Sequence, residues 1–156
     1  PVAAEPVDGL DVEVSVGDGV VLPVAPEAVE RAVRHALRAG GHDAAEVSVA
    51  FLGDADITAL NRDYLGHDRP TDVISFALHE PGDPPLGDVY VGVEQALRNA
   101  AELGVDPGEE LLRLAVHGTL HVLGHDHPEG EERMDSEMFR RQEEILRALL
   151  AGEDGG

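Results

Sequence analysis

Apolar and polar residues alternate with period two through DVEVSV, residues 11–16, as in a strand with one buried face. In PEAVERAVRHALRAGG the spacing changes: Val29, Val33 and Leu37 recur at helical intervals, and the segment closes on a double glycine. AEVSVAFL, residues 45–52, predicts a second strand. Asp54 is placed to cap a helix running through Ile57, Leu60 and Tyr64. DVISFAL and LGDVYVG predict two further strands, joined by the proline- and glycine-rich HEPGDPP. A helix follows from about Val93 to Leu103. Pro107 opens another, with Glu109 and Glu110 favourable in its first turn and an expected stop at Gly124. That helix carries LLRLAVHGTLHVL, apolar on most sides, and is therefore expected to be central. Glu129 to Leu150 is amphipathic, with Met134, Met138, Ile145 and Leu149 as its apolar stripe. No repeat or linker interrupts the chain. The prediction is one small α/β (α+β) domain over residues 1–156, with about four strands in a mixed sheet and five or six helices. Residues 1–10 and 151–156 are expected to be poorly ordered tails.

Composition narrows the classes of function. Hydrophobic residues make up 42% of the 156, enough for a real core. No apolar run approaches the roughly 20 residues of a membrane span. PVAAEPVDGL lacks the pattern of a signal peptide, so a membrane partner is not expected. The absence of cysteine removes disulfides and thiolate ligands and fits a cytoplasmic protein. Against 32 acidic residues stand 11 arginines and no lysine, a formal net charge of −21. Such a balance by itself argues against nucleic-acid partners, DNA above all, because phosphate neutralisation drives that affinity. A bound divalent cation or a local group of arginines would be needed to create a positive spot.

The chemistry is concentrated in HGTLHVLGHDH, which holds four of the chain's eight histidines: His117, His121, His125 and His127. Residues four apart on a helix differ by about 40° of rotation and about 6 Å of rise, so His117 and His121 share a face and can converge on one ion. His125 lies another turn on, too far to share it. Gly124 can take the left-handed conformation that turns a chain back, and beyond that turn His127 can meet the first two. The spacing H-x-x-x-H-x-x-G-x-x-H equals that of the metzincin zinc peptidases, with one difference. Their general-base glutamate is replaced by Gly118, which can accept no proton. Three neutral imidazoles leave a tetrahedral Zn2+ one open position, the layout of a catalytic centre, although other divalent transition metals suit the same ligands. His35, His42, His67 and His79 are scattered and are assigned ordinary surface roles.

With HGTLHVLGHDH, the upstream NRDYLGHDRPTDVISF and LGDVYV in place, the chain resembles the YbeY-type family of bacterial single-strand-specific metallo-endoribonucleases over about residues 45 to 140. The resemblance implies a small α/β sandwich carrying its metal on a central helix, with zinc ligands at His117, His121 and His127. It also implies action on single-stranded RNA in ribosomal RNA processing, including maturation of the 16S 3′ end, and in ribosome quality control. Some members carry a catalytic arginine where this chain has Leu65; Arg62 and Arg69 are the nearby substitutes. Asp126 is the first candidate for a proton-handling carboxylate, with capping of the turn after Gly124 as its alternative role. Arg69, beside Pro70, is the candidate phosphate contact. Asp72 and Asp88 either orient a ligand histidine or hold backbone, the latter favoured for Asp88. Two alternatives stand beside the ribonuclease: a ribosome-assembly factor with a structural metal, and a metallopeptidase, which Gly118 disfavours.

Overall fold

Among the described residues, four strands and five helices form in the order that the hydrophobic pattern predicts. The computed structural model describes residues 9–124 and 137–152. The elements are β1 (Leu10–Val16), α1 (Pro26–Ala39), β2 (Ala45–Leu52), α2 (Asp54–Leu65), β3 (Val73–Ala77), β4 (Leu86–Gly92), α3 (Val93–Leu103), α4 (Pro107–Val122) and α5 (Glu137–Leu150). They build one small α/β domain whose single mixed sheet has the order β1-β2-β4-β3. β1, β2 and β4 run parallel, with helical crossovers long enough to return the chain, whereas β3 pairs antiparallel with β4 across its short connection.

The two faces of the sheet differ in chemistry because side chains alternate along each strand. One face carries Leu10 and Val12 from β1, Val47, Val49 and Phe51 from β2, and Val89 and Val91 from β4, all buried. Against it lies α4, which also touches α1, α3 and α5 and so occupies the middle of the molecule. Its Leu111, Ala115, Val116 and Leu120 are essentially inaccessible. A fully buried leucine or valine stabilises the fold by roughly 1.5–3 kcal/mol, so this helix anchors the core. The opposite face is acidic at the β1–β2 side, where Asp11, Glu13 and Glu46 are exposed. At the β3–β4 side it is closed by α2, through Ile57 and an edge-on aromatic series of Tyr64, Phe76 and Tyr90.

The helix boundaries follow local chemistry. Pro26 begins α1, whose buried stripe includes the predicted Val29, Val33 and Leu37. Asp106 caps α4 by accepting the Glu109 backbone N–H at 3.0 Å, with Pro107 at the first helical position. Gly124 takes φ +95°, the left-handed turn expected there, and its N–H reaches the His121 carbonyl at 3.0 Å.

Three expectations change. Leu10, placed in a poorly ordered tail, is wholly buried and pairs with Ala45, because the first strand extends back to it. Asp54 does not cap α2: Gly53 holds that position, and the Asp54 carboxylate instead pairs with Arg98 of α3 at 3.0 Å. Of the last helix's stripe, Met138 and Ile145 are buried and Leu149 packs against the core, while Met134 lies outside the described residues. Among the described residues no helix is long and apolar enough to cross a membrane.

Candidate metal centre

His117 and His121 stand one turn apart on α4, both half-buried, with ring centroids 4.7 Å apart and planes at 74°. The spacing in sequence and the spacing in space agree: two imidazoles on one helical face can offer nitrogens to one ion. The height of that face above the sheet is set by two glycines. A Cβ on Gly118 would lie 2.5 Å from a γ-carbon of Val89, and one on Gly87 would lie 2.6 Å from both γ-carbons of Val122. Helix and strand therefore approach more closely than any side chain at either position permits. Gly118 is required by packing, quite apart from its inability to act as a base.

The same helix is tied to α5 by a chain of polar groups. The His117 Nδ1 lies 2.7 Å from the side-chain oxygen of Gln142, a residue only 4% exposed. The Gln142 Nε2 donates to Glu143 at 2.9 Å. Arg113 of α4 donates through Nε to Glu143 at 2.9 Å, through Nη1 to Glu110 at 2.8 Å and through Nη2 to Glu109 at 3.2 Å. Burial would lower the Arg113 pKa, but hydrogen bonds to Glu143 and Glu110 outweigh it and hold the guanidinium above its usual value. For Glu143, burial acts to raise the pKa, yet hydrogen bonds from Arg113 and Gln142 prevail and the carboxyl sits below its usual range. Burial dominates at Glu110, which is raised despite the same arginine.

These opposite shifts carry opposite pH dependences. Glu143, depressed in the folded state, contributes stability in full above the ordinary carboxylate value of 4.5 and loses it as pH falls through the lower folded value. Glu110, raised in the folded state, favours folding most in acid and loses that contribution as pH rises through its folded value. The Glu143→Gln variant is expected to be less stable than wild type near neutrality, with the gap closing in acid below pH 4.5. Urea midpoints across that range check this. A gap that persists undiminished into acid would contradict it.

The other predicted residues divide. His127, Asp126 and His125 lie outside the described residues. Among the described residues no three His, Cys, Asp or Glu side chains form a metal-holding group. Arg69 is exposed in the loop after α2, and its carbonyl accepts from the buried Asn61 side chain at 2.9 Å, which fixes the loop. Arg62 is engaged by Asp63 at 3.2 Å and Asp68 at 3.7 Å, while Leu65 is exposed at the end of α2. Asp88 accepts from the Ser48 hydroxyl at 2.7 Å on the sheet face away from α4, so it binds strand to strand and, among the described residues, orients neither His117 nor His121. Asp72 holds backbone and helix: its carbonyl accepts from Gly92 N–H at 2.8 Å and its carboxylate from Asn99 at 3.3 Å. Of the remaining histidines, the ring of His79 closes the β3–β4 connection on the backbone of Leu86 at 3.1 Å.

Sequence reading missed Gln142. One signal was available: it falls four residues after Met138 and three before Ile145, on the stripe that must be buried. A polar side chain at such a position needs a partner, and the partner is the predicted ligand His117.

A central helix that presents paired imidazoles, backed by a second helix and laid on a four-stranded mixed sheet, defines a small α/β fold. The chain belongs to the endoribonuclease YbeY family, whose profile matches residues 22–150. It is 45% identical over 133 residues to the endoribonuclease YbeY of Geobacillus thermodenitrificans, covering 77% of this chain and 83% of that one. With the endoribonuclease YbeY of Desulfitobacterium hafniense it shares 50% identity over 116 residues, 68% of this chain and 72% of the other. The fold matches the solution structure of TM1509 from Thermotoga maritima with a TM-score of 0.64 and 26% identity, over 90% of each chain. These likenesses do not favour the peptidase or the assembly-factor reading.

Proposed function

We propose that this chain is a zinc-dependent endoribonuclease that cuts single-stranded RNA in the cytoplasm, with ribosomal RNA and ribosomal particles as its natural partners. On this reading it acts in maturation of the 16S 3′ end and in ribosome quality control. The observation that carries the metal dependence is the pair His117 and His121 on one face of α4, with Gln142 against the Nδ1 of the first. The donor set fits zinc: a neutral imidazole whose proton sits on Nδ1 directs its Nε2 lone pair to a ligand position. His127, which lies outside the described residues, is the third donor on this reading. When bound, the ion supplies Lewis acidity and activates water at neutral pH.

The chain's own residues have distinct tasks. His117 and His121 hold the ion. Arg69, exposed at the loop that Asn61 anchors, takes a phosphate oxygen of the RNA. Asp126 handles the proton of the attacking or leaving oxygen. RNA brings its own 2′-hydroxyl, so cleavage does not depend on a protein base at position 118, whereas peptide hydrolysis would. The net charge of −21 makes affinity for RNA depend on the metal and on such local arginines.

Purified protein with zinc is expected to cut an unstructured RNA and to spare the same sequence in a duplex. Chelation should stop cleavage and added zinc should restore it. Cutting that survives chelation unchanged overturns the metal dependence, and equal cutting of the duplex overturns the preference for single strands. The product ends separate the routes: a 2′,3′-cyclic phosphate marks internal attack, and a 3′-hydroxyl marks attack by water.

A further inference from the structure

We infer that Gln142 is the positioning residue for His117, fixing the tautomer and the ring angle that the metal site requires. The inference rests on the metal-centre reading above and adds a residue outside the histidine motif. Three observations carry it. The Gln142 side-chain oxygen lies 2.7 Å from His117 Nδ1. Its amide nitrogen lies 2.9 Å from Glu143. Gln142 is buried, 4% exposed, so water does not substitute for either contact.

The chemistry leaves one arrangement. Glu143 is ion-paired to Arg113 at 2.9 Å and, as a carboxylate, only accepts. The Gln142 end that faces it must therefore be the NH2, since the carbonyl there would set oxygen against oxygen. The carbonyl then faces His117 and, having no proton to give, must accept one from Nδ1. A neutral His117 so constrained carries its lone pair on Nε2. The order of groups runs Arg113, Glu143, Gln142, His117, each fixing the direction of the next. Arg113 and His117 stand on α4 and the two middle members on α5, so docking of the last helix sets the ligand. Outer contacts of this kind typically govern 10- to 100-fold in metal affinity, about the size expected here.

The test uses the full chain. First, two-dimensional proton–nitrogen correlation on metal-free wild type reads the His117 tautomer directly. The expected result is a proton on Nδ1; one on Nε2 overturns the inference with no variant needed. Second, zinc affinity is measured by competition with a chromophoric chelator for wild type, Gln142→Leu and Gln142→Glu. Leucine fills the space but accepts nothing, and should weaken zinc binding about 10- to 100-fold and release the tautomer preference. Glutamate still accepts from Nδ1 and should restore both, although its charge beside Glu143 lowers stability. Equal zinc affinity in wild type and Gln142→Leu, both folded by circular dichroism, overturns the role of Gln142 and leaves the metal centre standing. Failure of wild type itself to bind zinc overturns the metal reading and this role with it.

Discussion

Replacing His121 by alanine is expected to abolish zinc uptake and RNA cleavage while leaving the fold intact. The loss should exceed the roughly 100-fold that removal of an outer contact costs, because a ligand itself is gone. His121 is half-buried beside the His117 ring on α4, whereas Leu111, Val116 and Leu120 of the same helix fill the core. Its truncation should therefore cost stability of only about 1 kcal/mol, the middle of the ordinary range for a substitution. Metal content by mass spectrometry, cleavage of an unpaired RNA and a thermal melt measure the three quantities separately. His67→Ala, at an exposed loop position, is the matched control and should change none of them. Full zinc occupancy and full cleavage in His121→Ala would remove the pair from the site.

A side chain at position 118 should damage the protein in proportion to its size. In Gly118→Ala the new carbon meets Val89 at 2.5 Å, so strand or helix must shift. Overpacking of this kind costs about 1–3 kcal/mol, against roughly 1 kcal/mol gained by replacing glycine in a helix. Alanine is therefore expected to be net destabilising by up to about 2 kcal/mol. Gly118→Glu would drive a carboxylate into the same seam and should leave no stably folded protein. The second change Val89→Ala makes room and should recover part of the loss in Gly118→Ala, which urea denaturation of the two single variants and the double variant would show. A Gly118→Glu protein as stable as wild type would mean that α4 does not lie on β4 as described. The consequence for function is direct: the position that holds the general base in metzincins is closed here by the sheet, so this scaffold cannot be converted to that chemistry by one substitution.

The elements were legible because their signals are local. Val29, Val33 and Leu37 declared the buried face of α1, and the proline at position 107 marked the start of α4 to within a residue. His117 and His121 were legible for the same reason, since helical periodicity alone places them on one face. The glycine at 124 was read correctly as a left-handed turn. Asp54 misled because a short carboxylate at a helix start has two uses: it can cap its own backbone or pair across to another helix. The arginine that won it, Arg98, stands 44 positions away.

The sequence by itself determined the spacing of the histidines, the helix that carries them and the alternation of strands and helices, all of which depend on neighbours within a few residues. Only the tertiary structure decided that Gly118 faces Val89, that Asp88 turns away from the helix carrying His117 and His121, and that Gln142 reaches His117 from a helix 25 residues on. The reason is physical. Periodicity fixes which side of an element is buried, but which partner lies against it depends on how that element docks, and docking is settled by the shape and polarity of surfaces far apart in the chain.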